Sequence, residues 1–323
     1  MRQTRHDLLQ RVDLAQPLGR VLRDVAGHFQ LGCLRSSRII TEGYDDLNVL
    51  LICERGTYVA KLFNKMKNRA TVEDHIHVQL ALSQRHAPVP QILTAHGEAI
   101  YRAPGQLRDT HVCVSEYFAG ENFVRSSPQR DAMLTVSRFL AALHTLPLHI
   151  GHTYDSWGTL NLPQEFARKL AHVSNETITL VAPLAEAVAD MKFGRARRRV
   201  IHGDIQRKHV LKNSSGQYCV LDFGCVDYNY PIVDLGVFLA LFCLLDTEPG
   251  DAQGVIENVL DTYLALAPLP ARHVALLGAL IRATWASYLL TADYLIHQGD
   301  RSLQTRQWYR SALRSLTTFD GAL

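Results

Sequence analysis

The spacing of apolar residues changes about a third of the way along the chain, and this change limits the possible folds more than any other feature. Up to residue 118, short segments alternate apolar and polar residues or run apolar between glycines, as antiparallel strands do. Beyond residues 119–122, apolar residues mostly recur at helical spacing. We therefore predict an α+β protein with two lobes. Residues 1–118 form a small antiparallel sheet with one main helix and a leading helix within 1–30, and residues 119–323 form a mostly helical lobe.

Individual elements follow from the same periodicity. The leading helix is predicted over 6–29 and the main helix over 71–86, where Thr71 is a plausible N-cap and prolines follow the last turn. Gly56 predicts a tight hairpin. Predicted strands lie in the segments RIITEG, NVLLICE, TYVAKLF, QILTA, EAIYRA and HVCVSEYF. Helices are predicted over 131–146, 164–174, 180–192, 232–246, 252–266, 273–297 and 302–317, interrupted by two strands around a turn at NSSGQ within 199–224.

Composition excludes several classes of protein. With 47% hydrophobic and 20% charged residues, extensive disorder is excluded. A net charge of +3 gives little support for nucleic-acid binding. The six cysteines are scattered without a CxxC pair, as in a reducing compartment. The longest apolar run noted, DLGVFLALFCLL, is shorter than the roughly 18 residues of a membrane span. We predict a cytoplasmic protein with no nucleic-acid partner and no membrane segment.

Four polar residues occur in the order that phosphoryl transfer requires. Such an enzyme needs a lysine on the nucleotide phosphates, a carboxylate that orients the acceptor hydroxyl, and side chains that hold a metal ion. Lys61 lies in the strand YVAKLF, Asp204 follows an apolar strand, His209 comes five residues later, and Asp222 opens DFG after the next strand. Taken alone, Asp204 also fits an Asx-turn and Lys61 a solvated strand lysine.

The order and spacing of these motifs resemble the aminoglycoside phosphotransferase and choline kinase group. The resemblance spans roughly residues 25–245 and rests on HGD at 202–204, His209, DFG at 222–224 and the flanking segments EGYDDLNVLL, APVPQIL, SEYFAGE, FLAALHTLP and PIVDLG. It implies a bilobal protein-kinase-like fold and a small-molecule kinase that uses ATP or GTP with Mg²⁺. It also implies that Asp204 is the catalytic base, that Asp222 binds the metal, and that Lys61 holds the α- and β-phosphates.

His209 departs from the family pattern. Most members have asparagine there, whose amide oxygen suits Mg²⁺, whereas imidazole nitrogen is a softer ligand, so Mn²⁺ is a possible alternative. Macrolide phosphotransferases are similar to this chain in having histidine at that place. We predict His209 to be a metal ligand, direct or through water; the alternative is a structural histidine.

Other residues are assigned supporting roles. The resemblance implies that His202 and Asp234 brace the catalytic loop, and that backbone groups of Glu116 and Phe118 bond the adenine edge. Glu73 shares a helical face with Ile76 and Leu80, so we predict it to pair with Lys61; a first-turn acid at the helix dipole is the alternative.

The remaining assignments concern the phosphate loop, one histidine and the acceptor. Gly43 and Asn48, in the segment TEGYDDLN, are predicted to cover the phosphates, whereas Asp45 and Asp46 do not suit an anion cradle. His144 is predicted to be a core or bracing histidine. An acid near aromatic side chains suits a cationic acceptor, although packing is the more common use of such residues. The candidate acceptor residues are Asp227, Tyr228 and Tyr230.

Three functions remain open from the sequence. The first is a kinase for a small-molecule hydroxyl of aminoglycoside, macrolide, amino alcohol, sugar or homoserine type, acting as a monomer or homodimer. The second is a catalytically weak, pseudokinase-like nucleotide-binding module. The third is a protein kinase, which is disfavoured because HGD replaces HRD and no APE-like segment follows DFG.

Overall fold

The structure, a computed structural model, describes residues 5–41, 43, 45–245, 247 and 249–319. The α-helices are α1 (Arg5–Leu9), α2 (Leu18–His28), α3 (Arg69–Gln84), α4 (Arg130–His144), α5 (Leu162–Lys169), α6 (Asn175–Asp190), α7 (Pro231–Phe238), α8 (Pro249–Leu264), α9 (Ala271–Val274), α10 (Leu277–His297) and α11 (Leu303–Thr318). The strands are β1 (Leu34–Ile40), β2 (Leu47–Cys53), β3 (Gly56–Leu62), β4 (Tyr101–Ala103), β5 (Thr110–Glu116), β6 (Glu121–Asn122), β7 (Arg199–Ile201), β8 (Val210–Lys212), β9 (Tyr218–Val220) and β10 (Asp227–Asn229).

The chain divides into two compact units. The sheet unit runs up to Gly120 and includes Asn213–Gly224, and the helical unit comprises Glu121–Lys212 and the chain from Cys225 onward. An antiparallel sheet in the first part of the chain and helices in the second confirm the predicted α+β class.

Five antiparallel strands in the order β1-β2-β3-β5-β4 form the sheet unit. Alternate residues of β2 are buried, as a strand with one face on a core requires. The β2–β3 hairpin closes from Cys53 to Gly56, and Gly56 has φ of 154°, which favours glycine. This turn fixes a register in which Asn48 lies opposite Lys61.

Helix α3 packs against the sheet through a separate apolar cluster. Val72 and Ile76 of the helix are buried with Phe63, Ile92 and Cys113. The helix begins after Asn68, whose side chain accepts a hydrogen bond from the Thr71 backbone N–H and therefore caps the first turn.

In the helical unit, α10 is the central element. It packs against α7, and a Cβ at Gly236 of α7 would lie 2.9 Å from the Leu280 Cβ, so only glycine permits this close approach. Short strand pairs, β7 with β10 and β6 with β8, flank the segment that carries the HGD motif.

A π-helical segment, Leu239–Cys243, follows α7 and helps to anchor that segment. A π-turn changes the α-helical hydrogen-bond pattern. The Ala240 carbonyl accepts a bond from the Trp285 indole N–H at 3.0 Å, and the Phe242 carbonyl accepts one from Arg207 Nε at 3.2 Å. Arg207, which is buried, thereby ties the loop after Asp204 to the core.

Some predicted elements are shorter than expected. The single leading helix predicted over 6–29 is wrong, because α1 and α2 are separate and Pro17, at the start of α2, is not tolerated inside a helix. The segment QILTA forms only isolated bridges, since His96 and Gly97 take positive φ and turn the chain back before a ladder extends.

One helical segment among the described residues, Ala271–His297, is long and apolar enough to cross a membrane by length and composition. Its most apolar 18-residue window has a mean hydropathy of 1.4, and 67% of that window is buried inside the protein. Its apolar composition is therefore accounted for by the core of the helical unit, and by itself it is weak support for a membrane segment.

Candidate active site

Lys61 lies in the sheet unit beside a buried aspartate. Its Nζ is 3.3 Å from Asp46 Oδ2, and the Asp46 side chain is only 4% exposed. Lys67 Nζ lies 3.0 Å from the same carboxylate oxygen. Asp46 also accepts a hydrogen bond from the Asn64 backbone N–H at 2.9 Å, so its position is fixed from several sides.

Asp222 is the second carboxylate near Lys61, with Oδ1 3.7 Å from Nζ. Burial alone would lower the pKa of Lys61, but Asp46 and Asp222 outweigh burial and raise the pKa above its usual value. Asp222 has φ of 65°, a strained conformation for a residue other than glycine, of the kind that clusters at functional sites. The structure thus brings together the lysine and the DFG aspartate that the sequence singled out.

The structure corrects the prediction that Lys61 pairs with Glu73. Glu73 forms an ion pair with Arg69 one turn earlier on α3, and Asp46 is the close partner of Lys61. The buried face of α3 runs through Val72, His75 and Ile76, which places Glu73 at its margin. Asp46, which sequence reasoning set aside, is the acid that it missed.

The other residues predicted to bind the nucleotide also lie in the sheet unit. Asn48 lies on β2 opposite Lys61, and Gly43 has φ of 114°. Glu42 and Tyr44 of the same loop lie outside the described residues. Glu116 ends β5, and its backbone N–H bonds the Gln91 carbonyl at 3.0 Å. Within the described part of the chain, the Phe118 backbone N–H has no intramolecular partner.

The helical unit holds the HGD motif in a tight turn after β7. Gly203 has φ of 80°, and a Cβ there would lie 2.5 Å from the Cys225 carbonyl oxygen. Both facts require glycine at this position. The turn places Asp204 three residues beyond the end of β7.

Asp234 braces this turn from α7. Its Oδ2 accepts bonds from the His202 backbone N–H at 2.7 Å and from His144 Nε2 at 3.0 Å, and its Oδ1 accepts one from the Gly203 N–H at 2.9 Å. His144 Nδ1 in turn bonds the Tyr263 hydroxyl at 2.7 Å. The predicted bracing position of His144 is confirmed, since the residue is buried and bonded on both sides.

Replacing Asp234 with asparagine is expected to destabilise the protein by about 2 kcal/mol, because one charged acceptor of three hydrogen bonds becomes an amide. Urea unfolding measures the loss. The matched control is Asp190→Asn, an exposed aspartate at the end of α6 in the same unit, which should change stability by less than about 0.5 kcal/mol. Equal losses in the two variants would contradict the bracing role.

Two side chains hold the Asp204 carboxylate. Gln206 Nε2 donates to Oδ1 at 2.6 Å, and the Tyr288 hydroxyl of α10 donates to the same oxygen at 3.2 Å. Burial, followed by repulsion from Asp204, raises the pKa of Tyr288 well above its usual value, so this phenol remains a donor at neutral pH. Neither Gln206 nor Tyr288 was identified from the sequence.

His209 is nearly buried and bonds the backbone of Asp204. Its Nδ1 donates to the Asp204 carbonyl oxygen at 2.7 Å and lies 3.5 Å from Asp204 Oδ2. Because a carbonyl oxygen only accepts, Nδ1 carries the proton, and Nε2 is the basic nitrogen of the neutral ring. This tautomer is the one that a metal ligand through Nε2 requires.

A further acid and three aromatic rings lie in the same unit as Asp204. Burial, opposed by the Trp157 backbone N–H and reinforced by Asp204, raises the pKa of Asp155 to about 6. The Trp157 ring centroid is 5.0 Å from the rings of both Tyr288 and Trp308. We call Trp157, Tyr288 and Trp308 the aromatic cluster. Tyr288 links it directly to Asp204.

The three predicted acceptor residues already have intramolecular partners. Asp227 is buried and accepts bonds from His152 Nδ1 and the Thr153 N–H, both at 2.9 Å. Tyr228 contacts the His149 ring edge to face. Tyr230 stacks on Phe193 with a centroid distance of 4.0 Å. Packing, the alternative that the sequence left open, accounts for these contacts, and an acceptor role for these residues stays a prediction.

The residues predicted to bind metal offer suitable donor atoms. The Asp222 side chain is 42% exposed and presents carboxylate oxygens, which suit Mg²⁺. Within the described ranges, no group of three or more histidine, cysteine, aspartate or glutamate side chains forms a metal cluster. A site with few protein ligands is typical of Mg²⁺, which is held largely by water and nucleotide phosphates.

Lys61 beside the DFG aspartate, and the HGD turn braced by Asp234, are the arrangement expected of a kinase-like phosphotransferase. A family model described as the phosphotransferase enzyme family matches residues 36–273, more than half of the chain. The chain therefore belongs to this family and is a small-molecule kinase with a hydroxyl group as acceptor, which confirms the resemblance noted from the sequence.

Known proteins agree with this classification. A homoserine kinase of Methylocella silvestris is 25% identical over 276 residues, covering 82% of each chain. The structure of an amicoumacin kinase in complex with AMP-PNP and Ca²⁺ has a TM-score of 0.72 at 12% identity and covers 98% of this chain and 99% of that one. A microcompartment-associated aminopropanol kinase has a TM-score of 0.67 at 17% identity, covering 93% and 96%. These two likenesses confirm the kinase-like fold.

Proposed function

We propose that the protein transfers the γ-phosphate of ATP to the hydroxyl of a small alcohol that carries an ammonium group, homoserine and amino alcohols being the leading candidates. The observation that carries the proposal is the half-buried Asp155 carboxylate, which accepts a hydrogen bond from the backbone N–H of Trp157, a member of the aromatic cluster, at 2.9 Å. Burial, and to a smaller extent the negative charge of Asp204, raise the pKa of Asp155. A carboxylate beside aromatic faces attracts a cation by charge and by cation–π interaction. The curated homoserine kinase and the aminopropanol kinase act on acceptors that fit this class.

In this proposal, Asp204 orients the acceptor hydroxyl and takes its proton. Gln206 and Tyr288 fix the carboxylate so that it points at the acceptor without reorganising. Lys61 holds the nucleotide phosphates, and backbone groups of Glu116 and Phe118 bond the adenine edge. Asp222 and His209 would hold the divalent cation, which would supply positive charge against the transferred phosphoryl group. GTP and Mn²⁺ are the alternatives to ATP and Mg²⁺, and the enzyme works in the cytoplasm.

The direct test is a panel of acceptors assayed for nucleotide diphosphate release. Homoserine, aminopropanol, ethanolamine and choline are compared with propanol, a sugar, an aminoglycoside and a macrolide, and ³¹P NMR locates the new phosphoester. We expect kcat/KM for the best small ammonium alcohol to exceed that for propanol by at least about tenfold, equivalent to about 1.4 kcal/mol. Equal use of the uncharged alcohol, or use of the macrolide alone, would overturn the assigned acceptor class.

The variant Asp155→Asn is expected to raise KM for that acceptor about tenfold at pH 7.5, because the charge is lost while the shape is kept. In the wild type, acceptor binding should weaken as the pH falls through about 6, since protonated Asp155 no longer attracts an ammonium. Calorimetry without nucleotide isolates this effect from catalysis by Asp204. Lys169 and Glu165 also act on Asp155, so the asparagine variant, in which the pH dependence should disappear, is essential.

The matched control is Asp190→Asn, which removes the same charge from an exposed position of the same unit. It should leave KM within about twofold. If Asp155→Asn and Asp190→Asn gave the same KM, Asp155 would not contact the acceptor.

A further inference from the structure

A cavity of about 470 Å³ on the sheet unit has a strongly cationic lining. It lies between the segment that joins β3 to α3 and the β4–β5 hairpin, and we call it the basic groove. Its charged lining comprises five cations and one acid: Lys65, Lys67, Arg69, Arg102, Arg108 and Asp109. The lining thus carries more net positive charge than the +3 of the whole chain.

Two of the five cations already have acidic partners. Lys67 pairs with Asp45 and Asp46, and Arg69 pairs with Glu73. For Lys65, Arg102 and Arg108, the described residues supply no carboxylate within 4.0 Å. Among the residues that line the groove, these three cations against Asp109 leave an excess of two positive charges. Asp13 and Glu73, which are outside the lining, act on Lys65 and Arg102 only at longer range than an ion pair. Like charges held together in a groove repel one another unless an anion joins them.

The walls of the groove are held in place. The Asp13 carboxylate accepts backbone hydrogen bonds from residues 106, 107 and 108 at 2.8 to 3.0 Å, which fixes the β4–β5 loop. Arg108 Nη1 donates to the Lys65 carbonyl at 3.2 Å and ties this loop to the opposite wall. The cations are therefore presented by ordered backbone, which lowers the entropy lost on binding.

We propose that the basic groove binds a phosphate dianion, either free phosphate or the phosphomonoester of a small molecule. The excess of two positive charges matches the charge of about −1.5 to −2 that a phosphomonoester carries at neutral pH. Guanidinium groups such as those of Arg102 and Arg108 present paired N–H donors that match phosphate oxygens. Asn64 and Asn68 also line the groove.

Lys67 gives this site a connection to the nucleotide lysine. It lies in the groove lining and shares the Asp46 carboxylate with Lys61. A phosphate bound in the groove would attract Lys67 away from Asp46. Asp46 would then pair with Lys61 alone, and this stronger ion pair would compete with the nucleotide phosphates for Lys61. An occupied groove is therefore expected to weaken nucleotide binding about fivefold. This coupling rests on the proposed role of Lys61, whereas binding to the groove does not.

Binding is tested by calorimetry on the full chain without nucleotide, with inorganic phosphate and O-phosphoethanolamine as separate probes. We expect saturable binding that Arg102→Gln and Arg108→Gln each weaken about tenfold, equivalent to about 1.4 kcal/mol. The matched control is Arg38→Gln, an exposed arginine on β1 of the same unit, which should change the affinity less than about twofold. Binding of both probes assigns the groove to phosphate itself, and binding of O-phosphoethanolamine alone assigns it to phosphomonoesters.

The His111 ring in the lining provides a readout independent of activity. Burial, followed by repulsion from Arg102 and Arg69, lowers the pKa of His111. A bound dianion should raise this pKa, and NMR titration of the ring proton detects the change. Absence of saturable binding up to about 10 mM of either probe, or equal losses in Arg38→Gln and Arg102→Gln, would overturn the proposal. A nucleotide affinity reduced equally by phosphate in wild type and Arg102→Gln would show competition at the nucleotide site and overturn the coupling.

Discussion

Replacing Asp204 with alanine is expected to lower kcat about a thousandfold, while nucleotide affinity changes less than about threefold. A base acts on the acceptor hydroxyl, so its loss affects the transferring step and not the binding of nucleotide. The Asp204 carboxylate is fixed by Gln206 and Tyr288, which makes this loss larger than that of a mobile surface acid. Single-turnover kinetics and nucleotide titration measure the two quantities separately.

Gln206→Ala is the graded comparison for this prediction. It removes one donor to Asp204 Oδ1 together with a bond to the Tyr288 hydroxyl, but keeps the carboxylate and the Tyr288 bond to it, so kcat should fall only about tenfold. Asp204→Asn should resemble alanine, because an amide does not accept the proton at neutral pH. Near-normal turnover by either Asp204 variant would exclude this carboxylate as the base.

The short-range parts of the site follow from sequence. In HGD, the glycine takes a positive φ that other residues avoid, and the buried histidine and the distant Asp234 meet in the turn.

Asp46 was also within reach of sequence reasoning. The Gly56 hairpin sets the register that pairs Asn48 with Lys61, and Asp46, two residues before Asn48 and just ahead of β2, lies within reach of Lys61. Because Asp45 and Asp46 were considered only as ligands for an anion, to which they are poorly suited, they were not recognised as ion-pair partners for lysine.

The error at Glu73 has a different cause. Helical periodicity predicts which face of α3 is buried, but that face is broad. The way α3 packs on the sheet determines which residues at the edge of this face are buried. In the structure Val72, His75 and Ile76 are buried, and Glu73 lies beside them with Arg69 as its partner. The position of Glu73 is therefore determined by tertiary packing, which the periodicity of a single sequence does not reveal.

The acceptor-side residues could not be found from local pattern. Tyr288 lies 84 residues after Asp204 in the chain, on a helix whose apolar spacing predicts only a core role. Asp155 stands between residues with no motif of their own, and its raised pKa arises from burial and the neighbouring Asp204. Both depend on long-range packing of α10 and of the loop before α5. The aromatic residues after DFG, which local pattern did favour, are instead in contact with His149 and Phe193.

Replacing Asp46 with alanine is expected to destabilise the protein by about 3 kcal/mol, because two lysines with little exposure lose a shared buried carboxylate. Asp45 is the matched control. It is the neighbouring aspartate and also pairs with Lys67, but its side chain is 56% exposed. A surface pair of this kind contributes at most about 1 kcal/mol, so Asp45→Ala should cost much less. Urea unfolding at neutral pH compares the two.

A double-mutant cycle then separates the Lys61–Asp46 pair from the rest of the network. Lys61→Met alone leaves Asp46 with Lys67, and Asp46→Ala alone leaves Lys61 with Asp222 at 3.7 Å. Because each single variant by itself already removes the Lys61–Asp46 interaction, the double variant should be less destabilised than the sum of the two by about 1 to 2 kcal/mol. Additive losses would mean that the two side chains do not interact in the folded protein, and Lys61 would then need another partner to hold it in position for the nucleotide.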